Sequence, residues 1–392
     1  MIQPITIKNK AIERCQSGYP WVMDLDVIGR TPTFPGVVAV KNKSGEHIGF
    51  AFCSPGSRYF LRVFYIGDAV IDRLFWRKRL LAAVERRQPF KKVTNAYRLV
   101  SAESDGFPSI VIDQYNDILS LQVSSSGAET MKGMLIELLK KELDPASIVE
   151  KNNASHRRQE GFPLQDRLAF GTKKATTIFE GDQQFDVDVV TGQKTGAYLD
   201  YRAFRFKGRE LARGKCLDLF CYQGWFSCHL AMKAASVVAV DSSAPALNAA
   251  HHNAAKNNHP NIMLMKGDAF SFLESSNEKF DFIHIDPPAV VREHRKIEIA
   301  LEAYRHLVDQ AYRCLLPEGI LMISSCSHKI SQRMLEKVVE EGMSRRKQHG
   351  DIIFRGIQDK DHPVLRGVPE TLYLKAIAVK MRAQCKFHFP IV

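Results

Sequence analysis

The chain has no Cys-x-x-Cys pair. Its eight cysteines, Cys15, Cys53, Cys216, Cys221, Cys228, Cys314, Cys326 and Cys385, are scattered along 392 residues. Cys216, Cys221 and Cys228 lie close together, but spacings of five and seven fit no metal motif. The scatter excludes a zinc knuckle and reads as reduced thiols of a cytoplasmic protein, most of them small core hydrophobes. No apolar run nears the roughly 18 residues of a membrane span. The opening Met1-Ile2-Gln3-Pro4 lacks the apolar stretch of a secretory signal. Internal repeats are missing too, and 45% hydrophobic with 25% charged residues excludes a disordered chain. Acidic residues are in the minority, 43 against 55 basic, for a net charge of +12. That excess suits a polyanionic partner, either nucleic acid or an anionic membrane surface. No basic amphipathic segment carries a strong apolar face, which argues against the membrane.

What is present divides into three parts, consistent with roughly 150 residues per domain. Residues 1–70 are β-rich. Val37–Val40 and His47–Phe52 flank the turn Lys41-Asn42-Lys43-Ser44-Gly45, a hairpin signal, and a small β-barrel is the natural solution. Residues 71–190 read as a central α+β domain. It opens with a helix over 71–87 carrying Arg73, Arg77, Lys78, Arg79, Arg86 and Arg87, followed by Lys91 and Lys92. This cluster is either a solvated helix face or an RNA contact. Strands are expected at Ile110–Asp113 and Ile118–Val123, a helix over 129–142 and a hairpin within 173–190, with the polar stretch 151–160 exposed.

Residues 191–392 form the third part. From about 213 the pattern is regular: strands at Cys216–Phe220, Val237–Val240, Ile262–Met265, Phe280–Ile285 and Ile320–Ser324 alternate with helices. Two late strands, near Asp351–Gly356 and Tyr373–Lys380, are expected to close the sheet as an edge hairpin. The fold class is thus α/β, a Rossmann-like doubly wound parallel sheet behind a β-barrel and an α+β domain.

Ligands of such sheets sit beyond the carboxyl ends of the strands. The first strand runs into Asp218-Leu219-Phe220-Cys221-Tyr222-Gln223-Gly224, with one glycine where a dinucleotide fingerprint needs three, so NAD and FAD are disfavoured. Asp241 ends the second strand, 23 residues on, and suits a ribose diol. Gly267-Asp268-Ala269-Phe270 follows the third, with an acid for an adenine amino group and an apolar wall, and Asp286-Pro287-Pro288 follows the fourth. Each acid alone is equally a helix N-cap. The ordered set fits S-adenosylmethionine, with its ammonium, ribose, adenine and sulfonium, held by Asp218, Phe220, Tyr222, Gly224, Asp241, Asp268, Ala269 and Asp286.

Cys326 differs from the other cysteines. It follows the fifth strand within Ser324-Ser325-Cys326-Ser327 rather than lying in an apolar run. It is either a buried turn thiol or a nucleophile. A thiolate added at carbon 6 of a pyrimidine makes carbon 5 enamine-like and able to accept a methyl group. His328 or Lys329 are the nearby candidates to favour the thiolate, and Asp286 the candidate to hydrogen-bond nitrogen 3.

These residues resemble a bacterial family, the PUA-domain-containing, class I S-adenosylmethionine-dependent methyltransferases of large-subunit ribosomal RNA, whose founding activity is cytosine carbon-5 methylation. The resemblance runs nearly end to end. It rests on Gly18-Tyr19-Pro20-Trp21-Val22, on the run Thr191–Arg202, on Asp218–Gly224, Asp286-Pro287-Pro288 and Ser325-Cys326-Ser327, and on Asp361-His362-Pro363-Val364 and Glu370–Lys375. Tyr19, Gln223 and Ala289-Val290 depart from the usual pattern. The resemblance implies a PUA domain, a linking domain and a Rossmann-like methyltransferase, often as a homodimer, acting on ribosomal RNA. Lys194, Tyr198, Arg202 and Pro287 become candidates to line the base entrance, alongside a structural role for the same loop. Two other readings stand beside cytosine methylation: transfer to a purine nitrogen at the Asp-Pro-Pro loop without a thiol, and a non-catalytic RNA-binding assembly factor.

Overall fold

The computed structural model describes residues 2–29, 31–153, 156–288 and 297–383. The chain divides into two compact units. The first comprises Met1–Asp182, Asp186–Leu199 and Lys360–Thr371; the second comprises Gln183–Phe185, Asp200–Asp359 and Leu372–Val392.

The first unit carries two sheets. One contains β1 (Gln3–Ile7), β2 (Trp21–Val22), β3 (Val27–Ile28), β4 (Gly36–Lys41), β5 (His47–Cys53) and β6 (Leu61–Ile66), in the order β2-β6-β5-β4-β1-β3, with α1 (Asn9–Gln16) between β1 and β2. β4 and β5 are the hairpin expected around Gly45, whose φ of +83° closes the turn. Ile5, Ile7, Val38, Val40, Ala51, Leu61 and Val63 fill the interior. The other sheet follows α2 (Arg73–Arg87). It contains β7 (Ala96–Ser101), β8 (Ile110–Tyr115), β9 (Ile118–Val123), β10 (Ser147–Asn152) and β11 (Gln165–Gly171), in the order β11-β10-β9-β8-β7. Its helices are α3 (Ser126–Glu129), α4 (Lys132–Leu143) and α5 (His156–Gln159). Trp76, Leu80 and Ala83 of α2 pack with Tyr97, Leu99 and Ile112. The hairpin expected within 173–190 is a two-stranded sheet, β12 (Ala175–Glu180) and β13 (Gln183–Asp188).

Of the cations of α2, for which two readings stood open, several are engaged within the first unit and others are exposed. Arg77 pairs with Glu142 at 2.8 Å. Arg79 donates to the carbonyls of Phe64 and Gly106 and lies 4.5 Å from the Phe75 ring centroid. Arg86 and the buried Arg87 both converge on Asp105. Arg73, Lys78, Lys91 and Lys92 are exposed. The stretch 151–160 departs from expectation. Lys151 is buried against Asp166 at 2.7 Å, Arg157 is buried beside Glu129, and Glu160 receives Arg62 at 2.9 Å. Charges read as solvated were internally paired, by partners distant in sequence.

The second unit begins with α6 (Arg202–Leu211). A seven-stranded sheet follows: β14 (Lys215–Leu219), β15 (Ser236–Asp241), β16 (Ile262–Lys266), β17 (Phe280–Ile285), β18 (Leu315–Ser325), β19 (Gly350–Ile357) and β20 (Lys375–Met381). Its helices are α7 (Trp225–Ala231), α8 (Ala244–Lys256), α9 (Ala269–Ser275), α10 (Ile297–Cys314) and α11 (Gln332–Arg345). The order is β16-β15-β14-β17-β18-β20-β19, parallel through β18, with β20 antiparallel to both neighbours. The chain reverses its direction of winding between β14 and β17, where such sheets open a ligand crevice. The last two strands pair as expected, but β20 lies inside the sheet and only β19 is at the edge. Composition explains this: Ala376, Ile377, Ala378 and Val379 are fully buried, whereas β19 alternates half-buried and exposed residues. Among the described residues no helix is long and apolar enough to cross a membrane.

Removing one partner of the buried Arg87–Asp105 pair strands a charge. Arg87→Met should therefore cost about 3 kcal/mol or more in urea denaturation. Arg73→Ala and Lys78→Ala should each stay within about 0.5 kcal/mol.

Candidate active site

The carboxyl ends of the parallel strands in the second unit gather most of the expected site residues. After β14 the backbone turns sharply: Phe220, Tyr222 and Gly224 all have left-handed φ, at +62°, +49° and +72°. The turn is held by Asp241 at the end of β15, whose carboxylate accepts the Tyr222 N–H at 2.9 Å and the Ser243 N–H at 2.8 Å. Gly224 caps α7, and a Cβ there would meet the Ala250 Cβ at 2.9 Å, so only glycine allows α7 this close to α8. Asp268 caps α9, accepting the Ser271 N–H at 2.9 Å, and Ala269 behind it is buried. The rings of Phe220 and Phe270 meet edge to face at 6.1 Å.

This donor set suits a nucleoside. Asp241 is half-buried and Asp268 exposed, both at strand ends. A carboxylate has about four lone-pair sites, so both keep capacity for hydroxyl or amino protons after serving the backbone. Asp218 is placed differently. It is fully buried, and its two oxygens are met by Ser227 at 2.5 Å and His284 at 2.7 Å. These contacts tie β14, α7 and β17 together.

β17 and β18 are parallel neighbours, with Ile285 opposite Ile323. Their exits therefore lie side by side. Asp286 is half-buried, Pro287 buried and Pro288 exposed; Ala289-Val290 lies outside the described residues. Ser324 donates to the Asp286 carboxylate, tying the two exits together two residues before Cys326. Six of the seven described cysteines are buried, and Cys326 alone is half-exposed. Burial pushes the thiols of Cys15 up to about 11 and of Cys53, Cys216 and Cys228 to about 12.

The cation beneath this loop is not one that sequence reasoning selected. Lys375 opens β20 opposite Ser325, is buried, and donates to the carbonyls of Ser327 at 2.6 Å and Ile330 at 2.5 Å. It thereby curls the backbone that carries Cys326. Burial lowers its pKa to about 8, and negative charge at Cys326 opposes that shift. His328 is exposed beside the Tyr373 ring, and Lys329 is half-buried. The run Glu370–Lys375 was noticed as a motif, but nothing in one dimension shows that its last residue faces residue 325. His284 and Tyr201, which connect Asp218 to Ser324, were also missed.

Three residues proposed for a base entrance do not come together within one unit. Lys194 and Tyr198 belong to the first, where the exposed Lys194 ammonium sits 4.4 Å over the Tyr198 ring and Tyr198 donates to Gln193. Arg202 belongs to the second and is buried, with its Nε 2.7 Å from Asp359. That ion pair anchors Arg202 within the second unit.

Comparison with known proteins agrees with this architecture. Residues 5–65 match the PUA-like domain model and residues 205–354 the methyltransferase small domain model. The chain is 34% identical over 375 residues to Ribosomal RNA large subunit methyltransferase I of Photobacterium profundum, covering 92% of this chain and 94% of that one. It is 33% identical to the protein of the same name from Tolumonas auensis, covering 92% and 95%. Among solved structures, a Streptococcus mutans protein assigned as a SAM-dependent methyltransferase shares the fold, with a TM-score of 0.80 at 20% identity over 97% of this chain and 100% of that one. A second, complexed with SAH, superposes with a TM-score of 0.82 at 20% identity and the same coverage.

Near neutral pH, iodoacetamide should modify Cys326 well before the six buried cysteines, as read by peptide mass spectrometry. In Lys375→Met the pH midpoint for Cys326 alkylation should move upward, because the ammonium that favours the thiolate is gone.

Proposed function

The chain belongs to the Ribosomal RNA large subunit methyltransferase I family, and on that premise we propose that it methylates carbon 5 of a cytosine in large-subunit ribosomal RNA through a covalent adduct to Cys326. The coarser statement, an S-adenosylmethionine-dependent methyltransferase of large-subunit ribosomal RNA, follows from that membership. The finer one is supported by a single observation: the only half-exposed thiol among the described cysteines leaves the strand beside the one that ends in Asp286, and Ser324 ties the two exits together.

Asp241 would accept the ribose hydroxyls of the cofactor and Asp268 its adenine amino group. Phe220 and Phe270 would form the apolar walls, and the backbone around Tyr222, Gly224 and Ala269 would shape the floor. When bound, the cofactor supplies the electrophilic methyl group that carbon 5 takes up. Cys326 does the preparatory work. Its thiolate adds at carbon 6, and the electron pair displaced from the 5,6 double bond makes carbon 5 nucleophilic. Asp286, carrying a proton on its carboxyl group, donates it to nitrogen 3 of the base and so stabilises the charge that develops there. The buried Pro287 stiffens the loop that aims it. A general base then takes the carbon 5 proton, the electron pair of that C–H bond re-forms the 5,6 double bond, and the C6–S bond breaks to release the thiolate. The base must come out of its stack to meet Cys326. The PUA-like sheet and the exposed cations Arg73, Lys78, Lys91 and Lys92 are the proposed phosphate contacts.

Cys326→Ala should abolish methyl transfer while calorimetry finds cofactor affinity unchanged, and RNA carrying 5-fluorocytosine should trap a covalent complex with the unsubstituted enzyme. A fully active Cys326→Ala enzyme would instead favour direct transfer to a purine nitrogen at Asp286-Pro287-Pro288. Asp241→Ala should weaken cofactor binding about tenfold or more, since it removes the diol acceptor and loosens the Tyr222 turn.

A further inference from the structure

A continuous chain of polar groups runs through the interior of the second unit, and the methyl-transfer reading leaves it without a role. Asp218, His284, Tyr201 and Ser324 are all buried. His284 Nδ1 lies 2.7 Å from Asp218 Oδ1, and its Nε2 lies 2.8 Å from the Tyr201 hydroxyl. That hydroxyl lies 2.8 Å from Ser324 Oγ, which in turn contacts Asp286 Oδ1. The His284 ring is fixed by stacking on Phe226, with centroids 3.6 Å apart and planes 7° from parallel.

The hydrogens do not add up without one more. Four heteroatom contacts need four hydrogens between them, whereas a neutral imidazole, a phenol and a hydroxyl bring three. The Ser227 hydroxyl is committed to the other oxygen of Asp218. A fourth proton therefore belongs to the chain, and it has two kinds of home. When it resides on the His284–Asp218 pair, His284 donates to Tyr201, Tyr201 to Ser324, and Ser324 to an ionised Asp286. When it resides on Asp286, every bond reverses: Asp286 donates to Ser324, Ser324 to Tyr201, and Tyr201 to a neutral imidazole.

We propose that Ser324, Tyr201 and the His284–Asp218 pair form a proton wire that sets the protonation state of Asp286, with His284 and Tyr201 acting as positioning residues. The transfer balances. One proton leaves His284 Nε2 for the Tyr201 oxygen, the proton of Tyr201 passes to Ser324, and that of Ser324 passes to Asp286, so three bonds to hydrogen break and three form. Burial holds the Tyr201 phenol well above its ordinary pKa, so it relays a proton without ionising. The titratable groups facing the wire include Asp218 from β14, Asp286 beyond β17, Arg205 from α6, whose charge acts on Tyr201, Tyr304 from α10, which donates to the Ser324 carbonyl, and Cys221 and Cys228, which interact with Asp218. Resting on the cytosine reading, the wire would hold Asp286 protonated for its donation to nitrogen 3, and that proton returns to Asp286 when the thiolate leaves.

The test needs no turnover. In full-length protein labelled with 15N-histidine, the His284 ring is assigned by its loss in His284→Gln, and its protonation is followed against pH. Asp286→Asn should shift that titration by about half a pH unit or more. The same substitution made in Tyr201→Phe or in Ser324→Ala should produce no shift, because either removes a hydroxyl from the wire. Equal shifts with and without those hydroxyls would show coupling through space and overturn the proposal; so would a His284 signal indifferent to Asp286→Asn at every pH. Because the coupling is read in Cys326→Ala protein as well, its failure is separable from failure of the cytosine reading.

Discussion

The hydrogen bond from Ser324 to Asp286 is where the second unit's architecture becomes chemistry. Parallel strands deliver their loops to one end of a sheet, but neighbouring loops diverge unless something ties them. Ser324 and Ser325 close β18, both fully buried, and Asp286 is the first residue past β17. Their contact fixes the distance between an acid and a thiol that are forty residues apart in sequence. The Asp241 carboxylate does the same on the other side of the crevice, drawing the Tyr222 turn against β15. Side chains bound to neighbouring strand exits thus organise both halves of the rim, and the sheet makes those exits neighbours.

Much of this was legible in one dimension. The apolar blocks at Phe280–Ile285 and Ile320–Ser324 announce strands by length and flanking polarity, and the parallel pattern puts Asp286 after the first and Ser325-Cys326 after the second at one end of the sheet. Cys326 stands out because its neighbours are small and polar. His284 could not be picked out in the same way: inside an apolar run it looks like any strand residue, and its meaning lies in Asp218 and Tyr201, brought to it only by folding. Lys375 and Arg202 were obscure for the same reason. A charge reads as solvated until its partner is known, and Asp359 or the carbonyl of Ile330 is far from either in sequence.

That ambiguity also bears on the surplus of positive charge. Arg77, Arg79, Arg86 and Arg87 come from the densest basic cluster in the chain, yet each is spent on carboxylates or carbonyls of its own unit. Net charge counts the buried Arg87 and the half-buried Arg79 as equal to the exposed Arg73 or Lys78, although a phosphate meets the exposed kind far more readily. The electrostatic footprint for RNA is therefore smaller than the composition advertises.

The interior position of β20 also bears on biogenesis. As a nascent chain emerges, β18 and its reactive turn are complete long before the strand that must pair with them, and β19 has to wait beside a gap. Until the final segment slots into that gap, β18 presents a bare hydrogen-bonding edge that invites mispairing. Lys375 arrives with the same strand, so the cation that holds the Ser327 and Ile330 carbonyls is in place only once β20 pairs with β18.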